Sequence, residues 1–330
     1  MSIQAPPPPV PHGELDDDEG GAHAALEPVG ARTHRVLASV PTAVLWALVI
    51  LWTIPTIGLL VSSFRPGTEQ FASGWWSSFT DPSFTADNYQ RALFDPPGGS
   101  LPFWKALLNS FAIAIPGTAV PIAIAAAAAY AFAWMDFKGR HWLFIAVLAM
   151  MAVPIQMALI PLQQFYSGGA HLTIAGTTYV IFPDLDLNNK PIAVWLAHTA
   201  FGLPLAIYLL HNYIASLPKD VFEAARIDGA THFGIFWRIV LPLAKPAIAA
   251  FAIFQFLWVW NDYLVALIYL SQNKAASPLT IQLVNLVTSR GQGTELLPAA
   301  AFISMVVPLI IFFSLQRYFV RGLLAGSVKG

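Results

Sequence analysis

Apolar runs close to one hydrocarbon thickness, about twenty helical residues rising about 30 Å, recur six times along the chain. They predict membrane spans over 38–61, 106–134, 142–161, 191–213, 247–270 and 298–314. The polar stretch 65–104 carries Trp75, Trp76, Tyr89 and Trp104, residue types that favour a membrane–water interface. The second span holds an alanine run, Ala125 to Ala129, a flat face on which another helix can pack closely. Segment 168–190 alternates apolar and polar positions around Ala175-Gly176 and predicts a small hairpin. Prolines and glycines interrupt the spans at Pro55, Pro116, Pro121, Pro154, Gly202, Pro204 and Pro308. Broken helices are tolerated in membranes where neighbours or a cavity satisfy the freed carbonyls, so curved helices around a translocation path are expected. The fold class is all-α: a polytopic bundle of six transmembrane helices.

Composition agrees with that pattern. Hydrophobic residues make up 56% of the 330 and charged residues 11%, too few charges for the surface of a soluble domain of this size. Residues 1–36, with Pro6 to Pro9, Asp16 to Asp18 and few large apolar side chains, cannot bury enough surface to offset the entropy of ordering, and a disordered tail is expected there. Its acidic run and the full spanning length of 41–64 do not fit a cleavable signal peptide. The remainder, 37–330, is expected to be one transmembrane domain. The net charge of −1 says nothing about a nucleic-acid partner, and no basic stripe suggests one, so none is expected. The absence of cysteine excludes disulfides, Cys-ligated zinc and thiol chemistry. Eleven of the seventeen Lys and Arg residues fall in the two termini and in the loops after spans two and four. The positive-inside rule therefore places those segments in the cytoplasm.

Little in the chain suggests catalysis. There is no phosphate-cradling Gly-x-x-x-x-Gly-Lys and no Gly-Lys pair at all, so ATP hydrolysis by this chain is not expected. His198 and His211 lie thirteen residues apart in span four, which offers no metal-ligand pair on one helical turn. No Gly-x-Ser-x-Gly nucleophile elbow occurs. Asp262 is the one acidic residue well inside a span, next to Asn261 and behind Trp258 and Trp260. A charge at that depth costs on the order of 3 kcal/mol and usually faces the bundle interior or water. Two readings stay open: Asp262 lines a solute path or gate, or it is a polar lock between helices. Gln156, Gln163 and Gln164 in span three are weaker candidates for contacting solute hydroxyls, and Trp258 and Trp260 suit either sugar rings or interfacial anchoring.

The longest polar interruption on the cytoplasmic side, within 217–246, is patterned as two short helices. Pro218 suits a helix start, and Asp220 and Glu223 lie near the positive end of that helix. Ala224 and Ala225 give a slim helical surface. Gly229 stands where a helix ends in the left-handed conformation. Thr231 then caps a second helix over 232–240, with Pro242 biasing Leu241 out of the helix and Pro246 opening the next span.

These residues also carry a resemblance. Glu223-Ala224-Ala225, three residues, Gly229, nine residues, Ile239, one residue, Leu241-Pro242 is similar to the EAA signature of binding-protein-dependent ABC importer permeases. Asp228-Gly229-Ala230, Trp260-Asn261-Asp262 and the C-terminal Gln316-Arg317-Tyr318-Phe319-Val320 with Gly322, Ala325-Gly326 and Lys329-Gly330 resemble the carbohydrate branch, within it the smaller, MalG-like permease of maltose-type importers. The resemblance implies a type I importer permease working by alternating access on a sugar or oligosaccharide, with 195–208 resembling α-glucoside permeases. It implies a second, MalF-like permease, two ATP-binding subunits, an extracytoplasmic solute-binding protein and membrane lipid as partners. ATP and Mg would be bound by those ATPase subunits, and no cofactor by this chain. It also implies a bacterial cytoplasmic membrane location with both termini inside. Glu223, Ala224, Ala225, Asp228, Gly229, Ile239, Leu241 and Pro242 would then form the ATPase-coupling element, and 325–330 would reach the ATPases. A secondary transporter or a membrane enzyme would show inverted repeats, several buried ionisable groups or a catalytic cluster, none of which is visible in the sequence.

Overall fold

A computed structural model describes residues 41–288 and 293–327; the tail at 1–36 lies outside them. The chain divides into 1–54 and 55–330. Described elements of the first unit are limited to the start of helix α1 (Thr42–Ser63), which continues into the second. Short helices α2 (Gly67–Ala72) and α3 (Asp87–Phe94) follow, then long α4 (Phe103–Trp134). After them come α5 (Arg140–Ala149), α6 (Ile155–Gly168), strands β1 (Ala170–Ile174) and β2 (Thr177–Phe182), and α7 (Pro191–Ala215). The remainder is α8 (Lys219–Ile227), α9 (His232–Ile235), α10 (Leu241–Trp260), α11 (Leu264–Leu270), α12 (Leu279–Thr288) and α13 (Leu297–Ser327). Among the described residues, five helical stretches are long and apolar enough to cross a membrane, or six if one bent pair counts as a span.

The bent pair corrects the third span. A continuous helix over 142–161 is not formed: α5 with the short turn Met150–Ala152 meets α6 at 107°. Val153 is held extended (φ −77°, ψ 119°), as the ring of Pro154 requires of the residue before it. The hairpin forms as the alternation predicts, an antiparallel pair with Leu172 opposite Tyr179. Its two-residue turn has positive φ at Ala175 and Gly176, the twist-matched geometry of tight hairpins.

Span five is also broken. Instead of one helix over 247–270, α10 stops at Trp260 and α11 begins at Leu264. The polar pair between them bonds to backbone groups on either side of the break. Asn261 Nδ2 donates to Leu257 O at 2.8 Å, and Asp262 Oδ2 accepts from Ala266 N–H at 3.1 Å.

Packing centres on α4 and α7, which run side by side in the same direction. Their first halves join Val259, Trp260, Tyr269 and Leu270 in one buried cluster. Their second halves join Phe222, Ile235, Val240 and Phe251 in another. The predicted alanine face is where they meet most closely: Ala125, Ala126 and Ala129 are buried with Ala206 and Leu210, a small-residue contact of the kind that holds membrane helices together.

Between the two clusters the spans are tied by side chains that serve proline-interrupted backbone. A proline at position i leaves the carbonyl of residue i−4 without its helical donor. Pro116 frees Ala112 O, which accepts from Trp195 Nε1 at 2.9 Å. Pro121 frees Gly117 O, which accepts from Gln255 Nε2 at 3.1 Å. Pro308 frees Ser304 O, which accepts from Trp260 Nε1 at 3.2 Å. Gln255 reaches its target because Gly202 has no side chain: a Cβ there would sit 2.8 Å from the Gln255 amide.

Gln255→Leu should leave the Gly117 carbonyl unpaired and lower thermal stability of the purified protein, by about 1 kcal/mol. Adding Pro121→Ala returns an N–H to the α4 ladder, so the double variant should lose less than Gln255→Leu alone. Melting of the two variants in detergent checks this, and an additive double variant would show that the freed carbonyl is not what Gln255 serves.

Candidate functional site

The predicted two-helix segment is present, and its local geometry follows its residues. Pro218 immediately precedes α8, with Asp220 in the first turn and Arg226 in the last, each favourably placed on the helix dipole. Asp228 ends the helix, and Gly229 takes φ +78°. Ala230 N–H donates to Ala225 O at 2.9 Å and Gly229 N–H to Arg226 O at 3.0 Å, the paired bonds that terminate a helix through a left-handed residue. Nothing lies within 4 Å of where a Gly229 Cβ would stand, so glycine is required here by backbone conformation and not by crowding. Thr231 Oγ1 then accepts from Gly234 N–H at 3.2 Å and caps α9.

Beyond this point the expectation is corrected. Leu241 is helical (φ −62°, ψ −44°), and 232–260 runs without interruption into the fifth span. Phe236–Val240 forms a π-turn, with Leu241 N–H donating to Phe236 O. The wider turn gives room for the Pro242 ring, which in a regular helix would press on the carbonyl of Arg238. Pro246 lies inside α10 and starts nothing. Ile239, Leu241 and Pro242 are thus part of the continuous helix that carries the hand's second half into span five.

The faces of the hand are now distinguishable. Glu223, Ala224 and Asp228 are exposed, whereas Ala225 packs on the second core cluster beside buried Phe222. Sequence reasoning missed three exposed apolar residues here: Ile227 is 86% exposed, Phe233 73% and Trp237 54%. Their signal was available, since Phe233 and Trp237 lie four apart on one helical face in a segment outside every apolar run.

The second candidate site lies where span five breaks. Asp262 has its side chain largely buried, 13% exposed, and Thr280 Oγ1 donates to its carbonyl at 2.7 Å. Its Oδ2 stands 3.7 Å from Nε2 of His198, a fully buried histidine whose ring nitrogens have no hydrogen-bond partner among the described residues. Trp258 meets that imidazole edge-on at 5.3 Å. The adjoining cavity, lined by Ser110, Ile113, His198, Trp260 and Asp262, has room for about one water and none for a sugar. Asp262 therefore joins α7, α11 and α12 at one point.

Of the other residues named with Asp262, Trp258 and Trp260 border the same junction, whereas the glutamines of span three are not among its lining residues. Trp260 is 3% exposed, between Phe111 at 4.9 Å and Phe256 at 5.5 Å, which makes it a packing and carbonyl-pairing residue in this structure. Asn261 is exposed and bonds its own helix. Gln156 and Gln164 are exposed, and Gln163 Nε2 lies 3.5 Å from Asn188 Oδ1. No cluster of three or more His, Asp or Glu suited to a metal occurs among the described residues.

Residues 119–324 match the model of the family described as binding-protein-dependent transport system inner membrane component. The chain belongs to this family. The permease is 53% identical over 286 residues to the osmoprotective compounds uptake permease protein GgtD of Synechocystis, covering 86% of this chain and 89% of that one. It is 52% identical over 257 residues to the alpha-glucoside transport system permease protein AglG of Rhizobium meliloti, covering 78% of this chain and 63% of that longer protein. A chain from the crystal structure of a bacterial ABC transporter that imports the acidic polysaccharide alginate superposes with a TM-score of 0.63 at 21% identity, covering 87% of this chain and 98% of that one. That likeness concerns the fold. The protein is a membrane-spanning permease subunit of an ABC importer, a transport component and not an enzyme.

Three substitutions test the geometry. Gly229→Val should cost about 1–2 kcal/mol of local strain and re-aim α9, with Gly229→Asp milder because aspartate enters the left-handed region more readily. Membrane insertion should be normal for both, and circular dichroism with limited proteolysis of 217–246 reads the change. Asp262→Asn keeps the shape but removes the charge facing His198. If Asp262 locks helices, thermal stability falls, by roughly 1 kcal/mol or less; if it serves a path or gate, transport falls with stability unchanged.

Proposed function

We propose that the permease moves a sugar of the α-glucoside class, or a small sugar-derived osmolyte, across the bacterial cytoplasmic membrane by alternating access. The observation that carries this reading is the hand at 217–246: two helices set by a left-handed glycine, with Ile227, Phe233 and Trp237 exposed outside every span. An exposed apolar patch on a folded segment marks a protein interface. Glu223, Ala224, Asp228 and Gly229 line the same outward side of the hand and dock in a cleft of an ATP-binding subunit, while Ile239, Leu241 and Pro242 pass its motion into α10. The carbohydrate class is supported by the 52% identity to the alpha-glucoside transport system permease.

In the complete importer this chain pairs with a second, MalF-like permease and two ATP-binding subunits that hold ATP and Mg, and it receives solute from an extracytoplasmic binding protein. Both termini and the hand face the cytoplasm, in keeping with the Lys and Arg distribution. Closure of the ATPase pair shifts the helices only if the hand binds it differently in the two states. Two observations restrict where this subunit touches solute: the cavity at Asp262 accepts about one water, and Trp260 is buried. The path is therefore completed by the second permease.

Reconstituted with its partners in liposomes, the permease should support uptake that requires ATP and the binding protein and persists without an ion gradient. Calorimetry of the cognate binding protein should give its tightest binding with an α-glucoside or an osmoprotective compound. The purified permease alone should hydrolyse no ATP; turnover abolished by a mutation within this chain would refute that assignment.

A further inference from the structure

The hand has a second attachment, to span two. Helix α8 has only nine residues, too few to hold itself together in water, so the contacts beneath it set its position. Those contacts converge on the end of α4. The Trp134 ring stacks on Phe222 at 3.9 Å with 14° between planes, and Phe222 is 1% exposed. Trp134 O accepts from Arg226 at 3.2 Å. Trp134 Nε1 donates to Ile214 O at 3.0 Å, one of the last carbonyls of α7, which also accepts from Leu217 N–H at 3.3 Å. One side chain thus joins span two, the end of span four and the first helix of the hand. One helical turn earlier, Tyr130, 4% exposed, meets His232 Nδ1 at 2.9 Å and packs on Phe236 at 5.7 Å, which ties the same helix to the second half of the hand.

From this geometry we propose that Trp134, seconded by Tyr130, is the positioning residue that makes the end of α4 move with the hand as one body. Movement of the hand then enters the bundle through α4 as well as through α10. The inference rests on the hand being the ATPase-coupling element. Because α4 and α7 share both buried clusters, a displacement at the Trp134 end is carried along both of these spans, in addition to the route through α10.

The test uses the complete importer in liposomes. The chain lacks cysteine, so spin labels at Lys138→Cys and Asp220→Cys, both exposed, report the distance between the α4 end and α8 without background. That distance should be the same in nucleotide-free and ATP-bound complexes; a change between the two states overturns the proposal. Trp134→Leu removes the stack and the indole donor, and should retain the ATPase subunits and their hydrolysis while uptake per ATP falls at least about fivefold. Trp134→Phe keeps the stack and should restore part of the coupling. Tyr130→Phe, which loses only the bond to His232, gives a milder variant should Trp134→Leu fail to assemble, and should lower uptake per ATP by a smaller factor. Normal uptake per ATP in Trp134→Leu and Tyr130→Phe overturns the proposal, as does a loss of hydrolysis and uptake in equal proportion. Absence of ATP-driven uptake in the unsubstituted complex would instead refute the function proposed above.

Discussion

An apolar medium offers no water to a backbone carbonyl, so each one freed by a proline must find a donor within the protein. Much of this structure follows from that constraint. Pro116, Pro121 and Pro308 bend or interrupt helices, and the carbonyls they release are met by Trp195, Gln255 and Trp260 from other spans. At the end of α7, where the helix itself runs out of donors, Trp134 Nε1 likewise donates to the Ile214 carbonyl. The prolines that weaken individual helices thereby become fixed points between helices. Because lipid is as apolar as the helix faces, apolar contact alone discriminates poorly between partners, and such directional bonds help specify which helices meet and in what register.

The same logic separates the two candidate sites. The hand is built almost entirely from local rules: a helix start at Pro218, a left-handed stop at Gly229, a cap at Thr231. Its helix–glycine–helix form is therefore set locally, while its position is set by the contacts beneath it, and its outward face is available to a partner. The junction at Asp262 is the opposite case. It exists because Asn261 and Asp262 interrupt a helix at the level where His198 and Thr280 approach from other elements. Its chemistry belongs to no single segment.

The join between hand and bundle combines both kinds of interaction. The π-turn over 236–240 lets α9 run into α10 despite Pro242, giving a stiff connection to span five. The Trp134–Phe222 stack and the Tyr130–His232 bond fasten the hand to span two. A segment held at two points transmits direction as well as displacement to the helices it joins.

By itself the sequence determined the all-α class, the positions of the apolar spans, the hairpin at 170–182 and the helix–glycine–helix form of the hand. These depend on period, length and the φ preferences of Gly and Pro, all of them local properties. The EAA-like spacing also carried family membership, since a docking motif is contiguous by nature. Only tertiary structure decided the 107° break at Pro154, the split of span five and the continuity of the helix across Pro242. A proline or polar pair permits several local outcomes, and neighbouring helices select among them by supplying or withholding donors. Tertiary structure likewise assigned Trp260 to Ser304, paired His198 with Asp262 and placed Trp134 under Phe222. Those partners stand 44, 64 and 88 residues apart in the chain, and no periodicity within one helix specifies which face of another it will meet.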